Sequence, residues 1–440
     1  MMIELTAENT PHIKNPVFLQ YAQIYSQIYN RFIDQVRAAG MEFDKNLEAE
    51  TCKKLERIRQ KNAHFRNSGK SITTHWISSA CEACQKGVDT VTLFISLMCH
   101  RKCFFCFNPN QESYEYFLHH KRAYINELEQ MFKHGQKFSH IALTGGEPLL
   151  HKKEMLEFFQ YVQKHSPRTH TRLYTSGDFL DPEILLDLQE SGLNEIRFSI
   201  KLEDTKAVRK EVYERIALAK KYIPDVMVEM PVIPGTLAEM KELLLELNRL
   251  NISGINLLEF CFPYHNAEEF VQRGFKVKNP PFKVLYDYWY AGGLPISRSE
   301  LEGLDLLEFA LDQQLNIGIH YCSLENKQTG QIYQQNYGQS VSNLMYFSPK
   351  DYFFKSAKVF GTDIDAVKKV FKKKRINQFQ VNSEYQFLEF NPRDIKFLKE
   401  LDLEIGISSN IMETREDGKY LRELKIDLTS PKDFDLKEDV

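Results

Sequence analysis

An α/β fold is predicted for this 440-residue chain, and three observations predict it. Between Val91 and Phe260, six short runs rich in β-branched and apolar residues alternate with stretches whose apolar residues recur at helical spacing. Cap residues punctuate the changes of period: Asp181-Pro182 reads as the N-cap and first-turn proline of one helix, and Gly192 as its end. A content of 42% hydrophobic residues suffices for well-packed cores in a chain long enough for more than one domain. Six strand–helix steps with right-handed crossovers imply a parallel sheet curling into part of a TIM-like (β/α)6 barrel. The expected divisions are an N-terminal helical region over 1–87, the partial barrel with its extension over 88–330, and a small α+β domain over 343–432.

The formal charge of −3 gives no global pull toward nucleic acid or anionic membrane. Mean hydropathy is −0.43, Met1-Met2-Ile3-Glu4 lacks a basic-then-apolar signal pattern, and no run approaches membrane-spanning length. A cytoplasmic location without membrane contact is the expectation. Eight cysteines in a large chain without a secretion pattern argue for metal or redox chemistry over disulfides.

In chain order, about Pro16 to about Ser68 reads as two helices. The first places Tyr21, Ile24, Ile28 and Phe32 on one stripe; Met41 to Asp44 makes the turn; Cys52 sits in the second beside Leu55 and Ile58 as a half-buried structural thiol. Next, Cys81-Glu82-Ala83-Cys84 closed by Gly87 reads as a tight knuckle for one edge of a metal site, since it does not open a helix within a thioredoxin-like unit. Strands are then expected at Val91–Ser96, His140–Thr144, Thr171–Thr175, Glu195–Lys201, Val226–Ile233 and Gly254–Phe260, with stripes such as Met155, Phe159, Val162 and Val208, Val212, Ile216 between them.

The chemistry is expected at the carboxyl ends of these strands. Cys99, Cys103 and Cys106 lie in one loop just past the first, in the stretch Cys99-His100-Arg101-Lys102-Cys103-Phe104-Phe105-Cys106. Three soft ligands suggest a metal site with one position open: zinc wants a fourth ligand, and a cubane iron–sulfur cluster normally takes four thiolates. After the second strand comes Thr144-Gly145-Gly146-Glu147-Pro148, where the glycines permit close backbone approach and Glu147 can accept hydrogen bonds from an ammonium group.

The spacing of Cys99, Cys103 and Cys106, with Phe105 before the last cysteine, resembles the cluster motif of the radical S-adenosylmethionine (radical SAM) superfamily, and the Gly145-Gly146-Glu147 string resembles its GGE-type motif. The resemblance implies a partial (β/α)6 barrel over roughly half the chain and a [4Fe-4S] cluster whose free iron chelates SAM. It further implies that Glu147, with Gly145 and Gly146, holds the SAM amino group. Ser199 would bond its ribose or carboxylate, Val232-Ile233-Pro234-Gly235 would form an adenine shelf, and Phe105 would add a contact to the adenine. Cys81-x-x-Cys84 ahead of the cluster strand, with His320-x-Cys322 before Lys327, is similar to a poorly characterised group related to pyruvate formate-lyase activating enzyme.

Cys261, after the sixth strand in Glu259-Phe260-Cys261, is either a core thiol, a hydrogen-atom donor or an auxiliary ligand, and Asn256 and Glu259 are polar candidates for a substrate pocket. Tyr290 to Ile296 reads as a connection, followed by a helix near Leu304 to Gln313 and a strand-like Ile317–Ser323 beyond the barrel. Cys81, Cys84 and Cys322 are read as an auxiliary iron–sulfur or zinc site, its fourth ligand left open among Cys261, His320 and an exogenous group.

After a Gln/Asn/Tyr-rich linker, the tail reads as strand (Leu344–Phe347), helix (Asp363–Lys374), strand broken near Ser383 (Phe379–Phe390), helix (Pro392–Leu401) and strands (Leu403–Ser408, Tyr420–Leu428), a ferredoxin-like pattern. Lys368, Lys369, Lys372, Lys373, Lys374 and Arg375 make a solvated helix face or a contact for RNA, phosphate or an acidic peptide. The expected function is reductive cleavage of SAM and hydrogen abstraction from a peptide or protein side chain, with an electron donor such as flavodoxin or ferredoxin. RNA or nucleoside modification and a non-catalytic zinc-binding module are the alternatives.

Overall fold

The alternating pattern from Val91 onward folds into one sheet. The computed structural model describes residues 2–6, 8–282 and 293–440. Its larger sheet comprises β1 (His64–Arg66), β2 (Ser71–Thr74), β3 (Thr90–Phe94), β4 (His140–Thr144), β5 (His170–Thr175), β6 (Glu195–Phe198), β7 (Asp225–Val232), β8 (Gly254–Glu259) and β9 (Gly318–Cys322). The spatial order is β1-β2-β9-β8-β7-β6-β5-β4-β3. Each neighbouring pair from β3 through β9 is parallel, and β2 and β1 close the far edge in antiparallel fashion. The sheet is open, as a partial barrel requires.

The six expected strands fall within a few residues of the observed ones. The strand-like Ile317–Ser323 does not lie beyond the barrel; Gly318–Cys322 is its seventh parallel strand, with His320 opposite Asn256. Outside the sheet, helices bury the expected stripes: Met155, Phe159 and Val162 are fully buried, as are Val212 and Ile216, against Ile196, Phe198, Ile255, Leu257 and Ile319. Asp181 caps its helix through a 2.8 Å bond from the Ile184 amide.

The N-terminal expectation needs correcting: the second helix ends at Arg59, and His64–Arg66, expected within it, is strand β1. Helix α1 (Pro16–Ala38) buries Phe18, Ala22, Phe32 and Val36, so the inward face is offset from the predicted stripe and Ile28 is exposed. Helix α2 (Glu48–Arg59) buries Ile58 but leaves the Cys52 thiol exposed. Cys81 and Cys84 lie in helix α3 (Ser79–Cys84), capped by Ser78, not in a tight knuckle. Of the connection expected at Tyr290–Ile296, the part up to Gly292 lies outside the described residues. Leu294 and Pro295 pair antiparallel with Phe262 and Cys261.

The contacts divide the chain into two compact units. Residues 40–281 and 293–327 form the unit just described, so the expected 1–87 region splits at Gly40. The other unit combines the first 39 residues with 328–440 around an antiparallel sheet of β10 (Phe354–Phe360), β11 (Phe379–Asn382), β12 (Phe387–Phe390), β13 (Ile405–Arg415) and β14 (Gly418–Thr429). Its main path, β11-β12-β10-β13-β14, is the ferredoxin-like arrangement with β14 added, and the two-residue strand Tyr346–Phe347 also pairs with β10. The helix Asp363–Lys374 is present, but Pro392–Phe397 is a 3-10 helix where a longer helix was expected.

Candidate radical and thiol sites

The loop after β3 is locked to the strand ends around it. The Gly146 amide donates to the Ser96 carbonyl at 3.1 Å, the Glu147 amide to the Met98 carbonyl at 2.9 Å, and Asn108 Nδ2 to the Gly145 carbonyl at 2.7 Å. A Cβ at Gly146 would fall 1.9 Å from the Met98 oxygen, so glycine is required here for the two loops to interlock. On the opposite side, His265 Nε2 meets the Cys106 carbonyl at 2.6 Å and Asn266 Nδ2 donates to the Phe104 carbonyl at 3.1 Å. Phe105 is half-buried, edge-on to Phe104 and Phe260.

Arg101, inside the cysteine motif, is the anchor that sequence reasoning missed. It makes paired bonds to Asp178 after β5, at 2.6 and 2.7 Å, and reaches Asp204 after β6 at 2.9 Å. Burial raises the Asp178 carboxyl, but hydrogen bonds from Arg101 and His100 outweigh it and hold the group at about 2. Only an arginine flanked by two downstream aspartates could have signalled this, and the sequence does not reveal which carboxylates fold back.

Glu147 closes the glycine loop after β4. Its carboxylate is buried and accepts from the Leu149 amide at 3.1 Å, Thr175 Oγ1 at 2.7 Å, and the Ser176 amide and hydroxyl, both at 2.7 Å. Three of these donors, on Thr175 and Ser176, tie the glycine loop to the end of β5, and the Leu149 amide is local. Ser199 is exposed at the end of β6, and Ile233 is half-buried just past β7, on the neighbouring strand.

Cys99 and Cys106 have their thiols pushed up, first by burial, while Lys201 near both pulls the other way. A metal ion or cluster would supply the charge that deprotonates them, and three thiols beside a lysine fit a soft, thiolate-bound iron centre. Among the described residues no three histidine, cysteine or acidic side chains converge closely enough to hold a metal ion. The sulfurs must draw together for one to be held.

A second set of expected residues lies on the inner face of the sheet. Cys81 Sγ accepts from Arg197 Nη2 at 3.3 Å and Asn256 Nδ2 at 3.2 Å. Arg197 also bonds Glu195 at 2.5 Å and Glu229 at 2.6 Å. Burial raises the Glu195 carboxyl, yet the Arg197 charge and bonds from His170 and Ser78 bring it to about 2. His320 has both ring nitrogens engaged, by Asn256 at 2.9 Å and Ser71 at 2.8 Å, and burial lowers it to about 3. Cys261 and Cys322 are buried, and burial pushes each thiol to about 12. Glu259 is buried, paired with Lys278 at 3.2 Å and accepting from the Leu324 amide at 2.8 Å.

Residues 93–247 match the family model described as the radical SAM superfamily. Over 213 residues the chain is 28% identical to a protein of Methanocaldococcus jannaschii provisionally described as a glycyl-radical enzyme activating enzyme, covering 46% of this chain and 55% of that protein. Among solved structures it is similar to Streptococcus suis SuiB bound to precursor peptide SuiA, at 14% identity and TM-score 0.39 over 58% of this chain and 53% of that one. It is also similar to anSMEcpe with bound AdoMet and a Cp18Cys peptide, at 18% identity and TM-score 0.32 over 40% and 51%. The chain spans about half the length of these relatives.

Proposed function

We propose that this chain is a radical SAM enzyme in which Cys99, Cys103 and Cys106 hold a [4Fe-4S] cluster. The observation that carries the reading is the cysteine loop itself: it sits past the carboxyl end of β3, inside the stretch 93–247, and is interlocked with the glycine loop after β4. Bound together, such a cluster and SAM supply reductive cleavage of the sulfonium to a 5′-deoxyadenosyl radical that takes hydrogen from a substrate. The chain's residues bind and orient. Arg101 fixes the loop, Lys201 favours the thiolates, and Ser199, Ile233 and Phe105 offer polar and apolar surface to the nucleoside. With Glu147 engaged internally, the glycine loop serves a bound SAM through its backbone.

A peptide or protein side chain is the proposed substrate, supported by the description of the Methanocaldococcus relative as an activating enzyme and by a second compact unit able to dock one. A small electron-transfer protein such as flavodoxin or ferredoxin would supply the electron. The location is proposed as cytoplasmic; among the described residues no helix is long and apolar enough to cross a membrane. An auxiliary centre on Cys81, Cys84 and Cys322 belongs to the same proposal.

Anaerobic reconstitution tests the reading. The reduced full chain is expected to form 5′-deoxyadenosine from SAM, and Cys103→Ala to abolish this while unfolding at an unchanged temperature. Continued 5′-deoxyadenosine formation in that variant rejects the proposal. A deuterium-labelled molecule whose label reaches 5′-deoxyadenosine identifies the substrate, and a nucleoside as that molecule would replace the protein reading.

A further inference from the structure

We infer that His265 and Asn266, on the segment that follows β8, are positioning residues for the cysteine loop. They clamp the carbonyls on either side of Phe105 and so set where Phe105 and Cys106 stand. β3 is an edge of the open sheet, with β4 to β7 between it and β8, so no strand ladder joins the two. Side chains join their loops instead. His265 Nε2 lies 2.6 Å from the Cys106 carbonyl, which can only accept, so this nitrogen carries the hydrogen. Asn266 Nδ2 donates to the Phe104 carbonyl at 3.1 Å, and in return Asn110 Nδ2 donates to the Pro263 carbonyl at 2.5 Å. Phe104 is buried against Phe260 and Phe270, with the Arg273 guanidinium 4.1 Å over its ring.

The backbone that carries these donors is held in an unfavourable form. Tyr264 and Asn266 are both left-handed, at φ 65° and 57°, a conformation that asparagine tolerates and tyrosine rarely adopts. Strain of this kind persists only where the surroundings over-determine it, and it clusters at functional sites. Here it flanks His265 and turns two consecutive side chains toward one loop. Packing of Phe104 alone needs neither donor. What the donors add is direction: the Phe104 carbonyl lies in the peptide plane that enters Phe105, and the Cys106 carbonyl in the plane that leaves Cys106. Fixing both planes fixes the two residues between them. Hydrogen-bond partners behind a metal ligand orient it and strengthen its hold on the metal.

The inference rests on the proposed iron–sulfur reading for its chemistry, but its geometry is tested without metal. In the metal-free full chain, hydrogen exchange at the Cys106 amide, which bonds the Cys103 carbonyl at 3.1 Å, reports how firmly the loop is held. His265→Ala and Asn266→Gly are each expected to speed that exchange about fivefold, the weight of one neutral hydrogen bond. His265→Gln keeps an N–H donor and should stay near the parent. Asn266→Gly removes a donor while relieving the left-handed backbone, so its unfolding temperature should be no lower than the parent's, which separates a loosened loop from a weakened fold. In the proteins reconstituted anaerobically with iron and sulfide, iron release to a chelator should follow the same order. Parent-like exchange in His265→Ala and Asn266→Gly, or equal acceleration in His265→Gln and His265→Ala, overturns the clamp. Faster exchange with unchanged iron release overturns its bearing on the metal ligands. Failure of the parent to cleave SAM would instead reject the radical SAM reading and leave the exchange result in force.

Discussion

The two sheets of this chain bury charge in different company. In the parallel sheet, Arg197 is enclosed by Glu195, Glu229 and Tyr174, but one of its N–H groups points at the Cys81 sulfur. In the antiparallel sheet, Lys358 is equally buried and pairs with Glu423, which also accepts from Tyr25 Oη at 2.5 Å and Tyr21 Oη at 3.0 Å. Lys355, beside it on β10, is held by Asp351 at 2.6 Å and Ser409 at 2.8 Å. The second network closes on itself. The first ends on a thiol, that of Cys81.

The most disruptive way to probe that difference is to remove each cation. Arg197→Met and Lys358→Met each leave a buried carboxylate without its partner, and each is expected to cost about 3–5 kcal/mol in denaturant unfolding. The comparison separates them by metal content. Arg197→Met protein that remains folded should bind the second metal less tightly, whereas Lys358→Met should retain both metal increments in full. Equal metal loss in the two variants would erase the distinction.

A smaller effect is expected at Glu147. Glu147→Gln keeps the size of the side chain but replaces one acceptor with an NH₂ facing donors from Thr175, Ser176 and Leu149, at a cost of about 1.5–3 kcal/mol in stability. Because the carboxylate is internally committed, SAM affinity per folded chain should change less than stability does. Isothermal titration beside thermal unfolding checks the order of the two effects.

This site also shows where sequence is informative. The cysteine loop and the glycine loop were legible because each follows a β-branched, apolar strand and has a distinctive composition. What Glu147 bonds was not, since Thr175 and Ser176 meet it only through the pairing of β4 with β5. The same holds for β10, the central strand of its sheet. Phe354–Phe360 was not predicted because Lys355 and Lys358 look like solvent-facing residues, and their burial depends on carboxylates that the sequence does not assign to them, Asp351 four residues earlier and the distant Glu423. β1 and β2 escaped for another reason: they are three and four residues long and mostly polar, with no period to read.

The parallel sheet also buries a histidine, His140, at the start of β4, and pH tests that contribution. Burial, followed by the charges of His170 and Arg172, lowers His140 to about 4, against about 6.5 when unfolded. Between these values the unfolded chain binds the extra proton, so stability is fully present above about pH 6.5 and falls as pH drops toward 4. The slope reaches at most about 1.4 kcal/mol per pH unit and is reduced where solvent screens the ring. His140→Gln, which can still bond Ser79 and Ser139, should flatten the profile in that window. An unchanged slope would place the titration elsewhere.

The smallest expected effect belongs to Cys52, and it bears on how the eight cysteines divide. Three lie in the loop after β3, four are Cys81, Cys84, Cys261 and Cys322, and Cys52 stands apart on α2 with its thiol exposed. It neighbours none of the buried donors that orient the other sulfurs, so Cys52→Ser removes only an exposed surface group. Such changes generally stay within about 0.5 kcal/mol. The variant should therefore match the parent in stability, in iron, zinc and sulfide per chain, and in 5′-deoxyadenosine formed. Loss of either metal increment in Cys52→Ser would mean that this thiol reaches one of the centres and that the division into three, four and one is incorrect. Its behaviour is the control that gives the losses in Cys81, Cys84 and Cys322 variants their meaning, because it separates the removal of a proposed ligand from the removal of any cysteine at all.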